Sequence, residues 1–82
     1  MDKMSLQKKI GNYCKEFRET KMEVSLNELS EITNVKYKTL YSFEAGLSSN
    51  IMMINHYIVA LNYDKGLQLG FVQGLNDLLG SE

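Results

Sequence analysis

The chain has no proline and no tryptophan among its 82 residues, and only one cysteine and one histidine. Without proline, nothing in the sequence forbids uninterrupted helices. The single cysteine, Cys14, excludes an internal disulfide and fits a reducing compartment. There is no His/Cys/Asp cluster at metal-ligand spacing, no credible Ser–His–acid set and no phosphate-cradling glycine loop. The sequence therefore offers no enzyme chemistry and no site for a metal or other cofactor. No apolar run approaches the length of a membrane span, so no membrane role is expected. The opening MDKMSLQKK is too short and polar for a secretory signal, and the expected compartment is the cytoplasm. Charge of one sign is also missing, with nine basic residues facing ten acidic ones. DNA-binding domains normally show a basic surface, because phosphate neutralisation supplies much of their affinity, and the overall balance gives that function no support. The distribution is less even: residues 1–24 hold six basic and four acidic side chains, residues 47–82 one and three.

What is present is helical material. Leu, Ile, Met, Glu and Lys are abundant and period-two alternation is scarce, which predicts an all-α domain of four to five helices. A chain of this size makes one small domain that is stable only if its helices pack well. The first helix runs from about Ser5 to Lys21, with Leu6, Ile10, Tyr13, Cys14 and Phe17 on one face and Cys14 as a small core residue. Met22-Glu23-Val24 reads as a loop, its apolar ends folding onto the core and Val24 placed for a hydrophobic staple. Ser25 and Glu28 form a capping box opening a second helix, whose apolar face is Leu26, Leu29 and Ile32. Asn34 suits a left-handed turn; Val35, Leu40 and Phe43 give the next apolar face, and Gly46 ends the third helix. Two short helices joined by a tight turn make a helix-turn-helix, whose second helix commonly lies in the DNA major groove.

Beyond Gly46, the polar loop Ser48-Ser49-Asn50 leads into a fourth helix capped by Asn50 or Ser49. Its expected buried stripe is Ile51, Ile54, Ile58 and Leu61, flanked by Met52, Met53 and Tyr57. His56 points outward, and Asn62 ends the helix in the left-handed manner of Asn34. Asp64 then caps a fifth helix in which Leu67, Phe71, Leu75 and Leu78 recur on one face. Gly66, Gly70 and Gly74 cost helix stability and would let another helix approach closely. The expectation is a domain over residues 1–64 and a helical extension over residues 65–82 that forms a homodimer interface through Leu67, Phe71, Leu75 and Leu78. Closure of the monomer core by this helix, or extended structure through LQLGFV, stay open as alternatives.

Ile10 to Asp64 resembles the lambda-repressor-like (Cro/C1-type, or XRE) helix-turn-helix DNA-binding family over about two-thirds of the chain. IGNYCKEFRETK matches the first helix, SLNELSEITNV the second with its turn, KYKTLYSFEAG the third, and IMMINHYIVALNY the fourth with its exit. The best markers are Phe17-Arg18 and Phe43-Glu44-Ala45-Gly46. The resemblance implies a partly buried ion pair between Arg18 and Glu44 that locks the first helix to the third. It implies base reading by Lys36, Tyr37, Lys38 and Ser42, with Thr39 and Tyr41 beside them. It also implies further DNA contacts from Ser25 and Asn27 at the start of the second helix, and from Ser48, Ser49 and Asn50 against the phosphate backbone. The chain departs from the family at Leu26, where a Gln is usual, and at Ser42, where a longer side chain is common. The loop through Glu23 is one residue longer than the usual form, which has a Gly there.

Two functions follow as expectations. One is a sequence-specific transcriptional regulator, a small phage-type or prokaryotic repressor that binds an inverted repeat of double-stranded DNA as a homodimer. The other is a helix-turn-helix protein that acts by binding another protein, as an anti-repressor, an antitoxin-like partner or an inhibitor of a host enzyme. Exposed tyrosines on the third helix suit a protein partner as well as a groove.

Overall fold

A computed structural model describes residues 5–48 and 50–81. Five α-helices are found among them and no strand: α1 Leu6–Phe17, α2 Leu26–Thr33, α3 Tyr37–Glu44, α4 Met53–Ala60 and α5 Lys65–Gly80. The chain is an all-α domain. No helix among the described residues is long and apolar enough to cross a membrane.

Local chemistry sets most helix boundaries. The Ser5 hydroxyl accepts from the Lys8 amide and opens α1. The capping box at α2 is reciprocal: the Ser25 hydroxyl accepts from the Glu28 amide at 3.1 Å, and a Glu28 carboxylate oxygen accepts from the Ser25 amide at 2.8 Å. Hydrogen bonding from the Ser25 backbone amide first, and then from its side chain, holds the Glu28 carboxyl below its ordinary pKa. Asn34 is left-handed at φ 60°, as its type suggests, and the Ser30 hydroxyl ties back to the Val35 carbonyl across the turn. The Asp64 carboxylate accepts from the Leu67 amide at 3.1 Å and starts α5.

Several boundaries and faces differ from expectation, and Leu6, expected on the apolar face of α1, is exposed. The first helix runs to Met22, close to the expected Lys21, but Arg18–Met22 form a wider π turn, and Glu23 then takes a left-handed conformation at φ 57°. Ile32 is exposed, because positions spaced three apart drift about 60° per step around a helix and the third has left the buried face. Ile51 is also exposed, since α4 begins at Met53 and Ile51 and Met52 lie in the preceding turn, where the Asn50 side chain accepts from the Met52 amide. Asn62 is not left-handed; α4 tightens into a 3-10 turn over Leu61–Tyr63 instead.

α1 packs on α3 and α5, and α2 on α3 and α4. The core is an aromatic relay. Phe43 of α3 lies 6.0 Å from Tyr57 of α4, Tyr57 stacks 6.1 Å from Phe71 of α5, and Phe71 meets Phe17 of α1 edge-on at 5.1 Å. Tyr57, expected only to flank a stripe, is fully buried at the centre. This arrangement corrects the expected use of α5. Phe71 and Leu75 are buried within the chain's own core, and Leu67 and Leu78 pack partly buried against it, so Phe71 and Leu75 are not available to a second copy. Residues 65–81 complete the domain rather than extend from it. Of the three glycines, Gly74 has a packing reason: a methyl group there would overlap the Tyr13 hydroxyl, which donates to the Phe71 carbonyl at 2.7 Å.

Two outcomes test this packing. Phe71→Asp, which would merely dissociate a dimer if the residue were at an interface, buries an unpaired charge and abolishes the cooperative far-ultraviolet melt. Glu23→Gly removes a left-handed penalty of about 1 kcal/mol, partly offset by the freedom glycine gains in the unfolded chain, and raises the thermal midpoint in calorimetry.

Candidate functional site

The site begins with an ion pair under it. Arg18 and Glu44 are 6% and 7% exposed. The Arg18 Nε and Nη2 donate to the two carboxylate oxygens of Glu44, each at 3.0 Å, and Nη1 donates to the Val24 carbonyl at 2.9 Å. The Tyr57 hydroxyl donates to Glu44 Oε2 at 2.6 Å. A fork-to-fork pair with both remaining bonds filled meets the cost of desolvating two charges, and no buried side-chain nitrogen or oxygen among the described residues lacks a partner. The pair fixes α3 in rotation against α1 through Glu44, while the Tyr57 bond fixes it against α4.

Leu40, Phe43 and Glu44 are turned inward, and Tyr37 and Tyr41 lie on the flank of α3 beside Glu44, where they line a groove with Lys15 and Glu19. Lys36 is the N-cap position and is exposed, as are Tyr37, Lys38, Thr39 and Tyr41; Ser42 is half-buried. Tyr37 and Tyr41 are 46% and 55% exposed, and their rings stack with centroids 6.5 Å apart and an interplanar angle of 14°. The pairing was not legible in the sequence, although the four-residue spacing of two tyrosines is its signal. Beside the stack runs a groove of about 520 Å³ lined by Lys15, Glu19, Val24, Leu26, Tyr37 and Tyr41, with Arg18 and Glu44 beneath.

The other candidates are less well concentrated. Ser25 is exposed, but its hydroxyl is occupied by capping α2; Asn27 is exposed two residues along. Ser48 accepts from the Asn50 amide at 3.3 Å, and Asn50 is exposed. Ser49 lies outside the described residues. A second, apolar hollow of about 240 Å³, lined by Leu6, Gln7, Ile10, Phe43, Ser48 and Ile51, adjoins this loop and was not anticipated. No group of three or more metal-ligating side chains is found among the described residues. Cys14 is fully buried, and burial, with the nearby Glu44 charge, pushes its thiol well above the ordinary range.

No family model matches this sequence, and no curated protein or solved structure matches it either.

Two measurements check the scaffold of the site. Arg18→Ala leaves the Glu44 carboxylate buried without its counter-ion and costs about 3–5 kcal/mol in urea unfolding. Burial first, and then the bond to the Glu44 carboxylate, raise the Tyr57 phenol above its ordinary value of 10.0. A group with a raised folded-state pKa contributes stability below its unfolded pKa and loses it as pH rises. The urea midpoint is therefore flat for this group up to about pH 10 and falls above it, and Tyr57→Phe shallows that alkaline fall.

Proposed function

We propose that this protein is a cytoplasmic, sequence-specific DNA-binding regulator of the lambda-repressor-like kind, a small phage-type or prokaryotic repressor. The observation that carries the reading is the α2–turn–α3 unit, in which Leu40, Phe43 and Glu44 are held inward and Lys36, Tyr37, Lys38, Thr39 and Tyr41 are presented outward. A short helix anchored from behind and cationic in front is suited to a polyanionic groove. Lysine donates to phosphate or to guanine O6 and N7, and threonine and tyrosine can meet the backbone or a thymine methyl. Asn27 and the Ser48–Asn50 loop would contribute backbone contacts at the edges.

One such helix reads few base pairs, so specificity calls for a homodimer that places two copies on successive major-groove faces about 34 Å apart, on an inverted repeat. Because Phe71 and Leu75 serve the core, the part of α5 left for a second copy is the outer surface around Leu69 and Gln73, both exposed.

A second reading, action through a protein partner, is favoured by the exposed Tyr37–Tyr41 stack together with exposed Leu47, Ile51 and Met52. Exposed aromatics and clustered apolar side chains are common at protein interfaces. Salt separates the two. Under the DNA reading, Lys36→Ala and Lys38→Ala each weaken duplex binding in fluorescence anisotropy and lower the slope of log affinity against log salt by about one. Salt-independent behaviour with binding lost only in Tyr37→Ala and Tyr41→Ala favours the protein partner.

A further inference from the structure

The reading surface of α3 has an unusual composition for its proposed task. Between Lys36 and Glu44 there is no Arg, Asn or Gln, so the planar side chains that read guanine and adenine with fixed geometry in the major groove are missing. Lys36 and Lys38 are flexible point charges that can reach phosphates or guanine O6 and N7 without that fixed geometry. The largest ordered feature of this surface is instead the Tyr37–Tyr41 stack. Two rings 6.5 Å apart and within 14° of parallel splint each other, so little side-chain freedom remains to be lost on binding. Leu26, which shares the lining of the adjoining groove with both rings, makes that wall apolar at its base.

In the major groove one base presents an apolar group, the C5-methyl of thymine. The two rings stand one turn apart on the same helix face, so each can meet a separate thymine methyl in one groove. Lys36 and Lys38, exposed on the same short helix, supply the charge that holds the wall against the duplex.

We propose that the Tyr37–Tyr41 pair is the specificity-determining element of this protein and selects duplexes carrying a pair of thymines, through contact of each ring with one methyl group. This rests on the DNA-binding reading above. The expected mark is a loss of affinity when the methyl is deleted without any change in base pairing, at about 4-fold for each thymine.

The test is selection of bound duplexes from a random pool with the full chain, followed by anisotropy titration of the selected duplex and of its twin with deoxyuridine in place of each thymine in turn. Support is a selected motif with a pair of thymines at fixed positions, weakened several-fold by deoxyuridine at those positions and not elsewhere. The doubly substituted Tyr37→Ser, Tyr41→Ser chain, folded by circular dichroism because both side chains are exposed, should then bind the two duplexes alike. A selected duplex that tolerates deoxyuridine at every position overturns the thymine assignment while leaving DNA binding intact. No enrichment, with no salt-dependent affinity for any duplex, overturns both.

Discussion

The buried pair between Arg18 and Glu44 is the constraint on which the rest of the structure depends. A helix of eight residues such as α3 has little stability of its own, so its orientation comes from what grips it. Here the grip is a two-pronged bond at 3.0 Å on each prong, completed by the Val24 carbonyl on the arginine and the Tyr57 hydroxyl on the glutamate. An ion pair of this kind adds little net stability over an apolar pair of the same shape, but it is strict about geometry, because any rotation of α3 strands a charge away from water. Hydrophobic contacts at Leu40 and Phe43 hold α3 down, and the pair decides which way it faces.

That strictness reaches the rest of the molecule through Tyr57. Its ring lies between Phe43 and Phe71 while its hydroxyl closes the Glu44 carboxylate, so one side chain joins the polar lock to the apolar core. α5 enters this arrangement through Phe71, which touches Tyr13, Phe17 and Tyr57. The fifth helix thus stabilises the outward face of α3 from the far side of the domain. The left-handed Glu23 belongs to the same arrangement, since the π turn before it brings Val24 to the Arg18 guanidinium. Local strain there is tolerated because the buried pair over-determines the backbone.

Much of this was legible in the sequence where a local rule applied. The capping box at Ser25 and Glu28, the left-handed Asn34 and the Asp64 cap are chemistry of a few adjacent residues, and each formed as its type dictates. On α3, the inward Leu40 and Phe43 followed from spacing, whereas the burial of Glu44 was implied only by the family resemblance. What was not legible depended on contacts distant in sequence. Phe71 and Leu75 on a helical stripe look the same whether they face a second copy or the chain's own α1 and α4, and only the fold distinguishes the two. The burial of Tyr57 was missed because tyrosine is ordinarily amphipathic; a carboxylate thirteen residues earlier in the chain satisfies its hydroxyl. The exposure of Ile51 came from a helix start two residues later than the apolar run suggested. At the site, the residues of α3 were readable as a set and the tyrosine stack is local to that helix, whereas the adjoining groove needed several elements in place.

The proposed function reduces to a statement about one face: the outward side of α3, and not the apolar hollow near Ile51 or the outer side of α5, meets the duplex. Amide chemical-shift mapping by heteronuclear NMR, titrating a selected duplex into the labelled chain, tests it most directly. The account predicts that the largest shifts fall on residues 36–42, with smaller ones at residues 25–27 and 48–50, and that signals of α5 stay in place apart from any change on its exposed side. Shifts centred on Leu47–Met52 or on the Leu69 surface, with the amides of α3 unmoved, would contradict it.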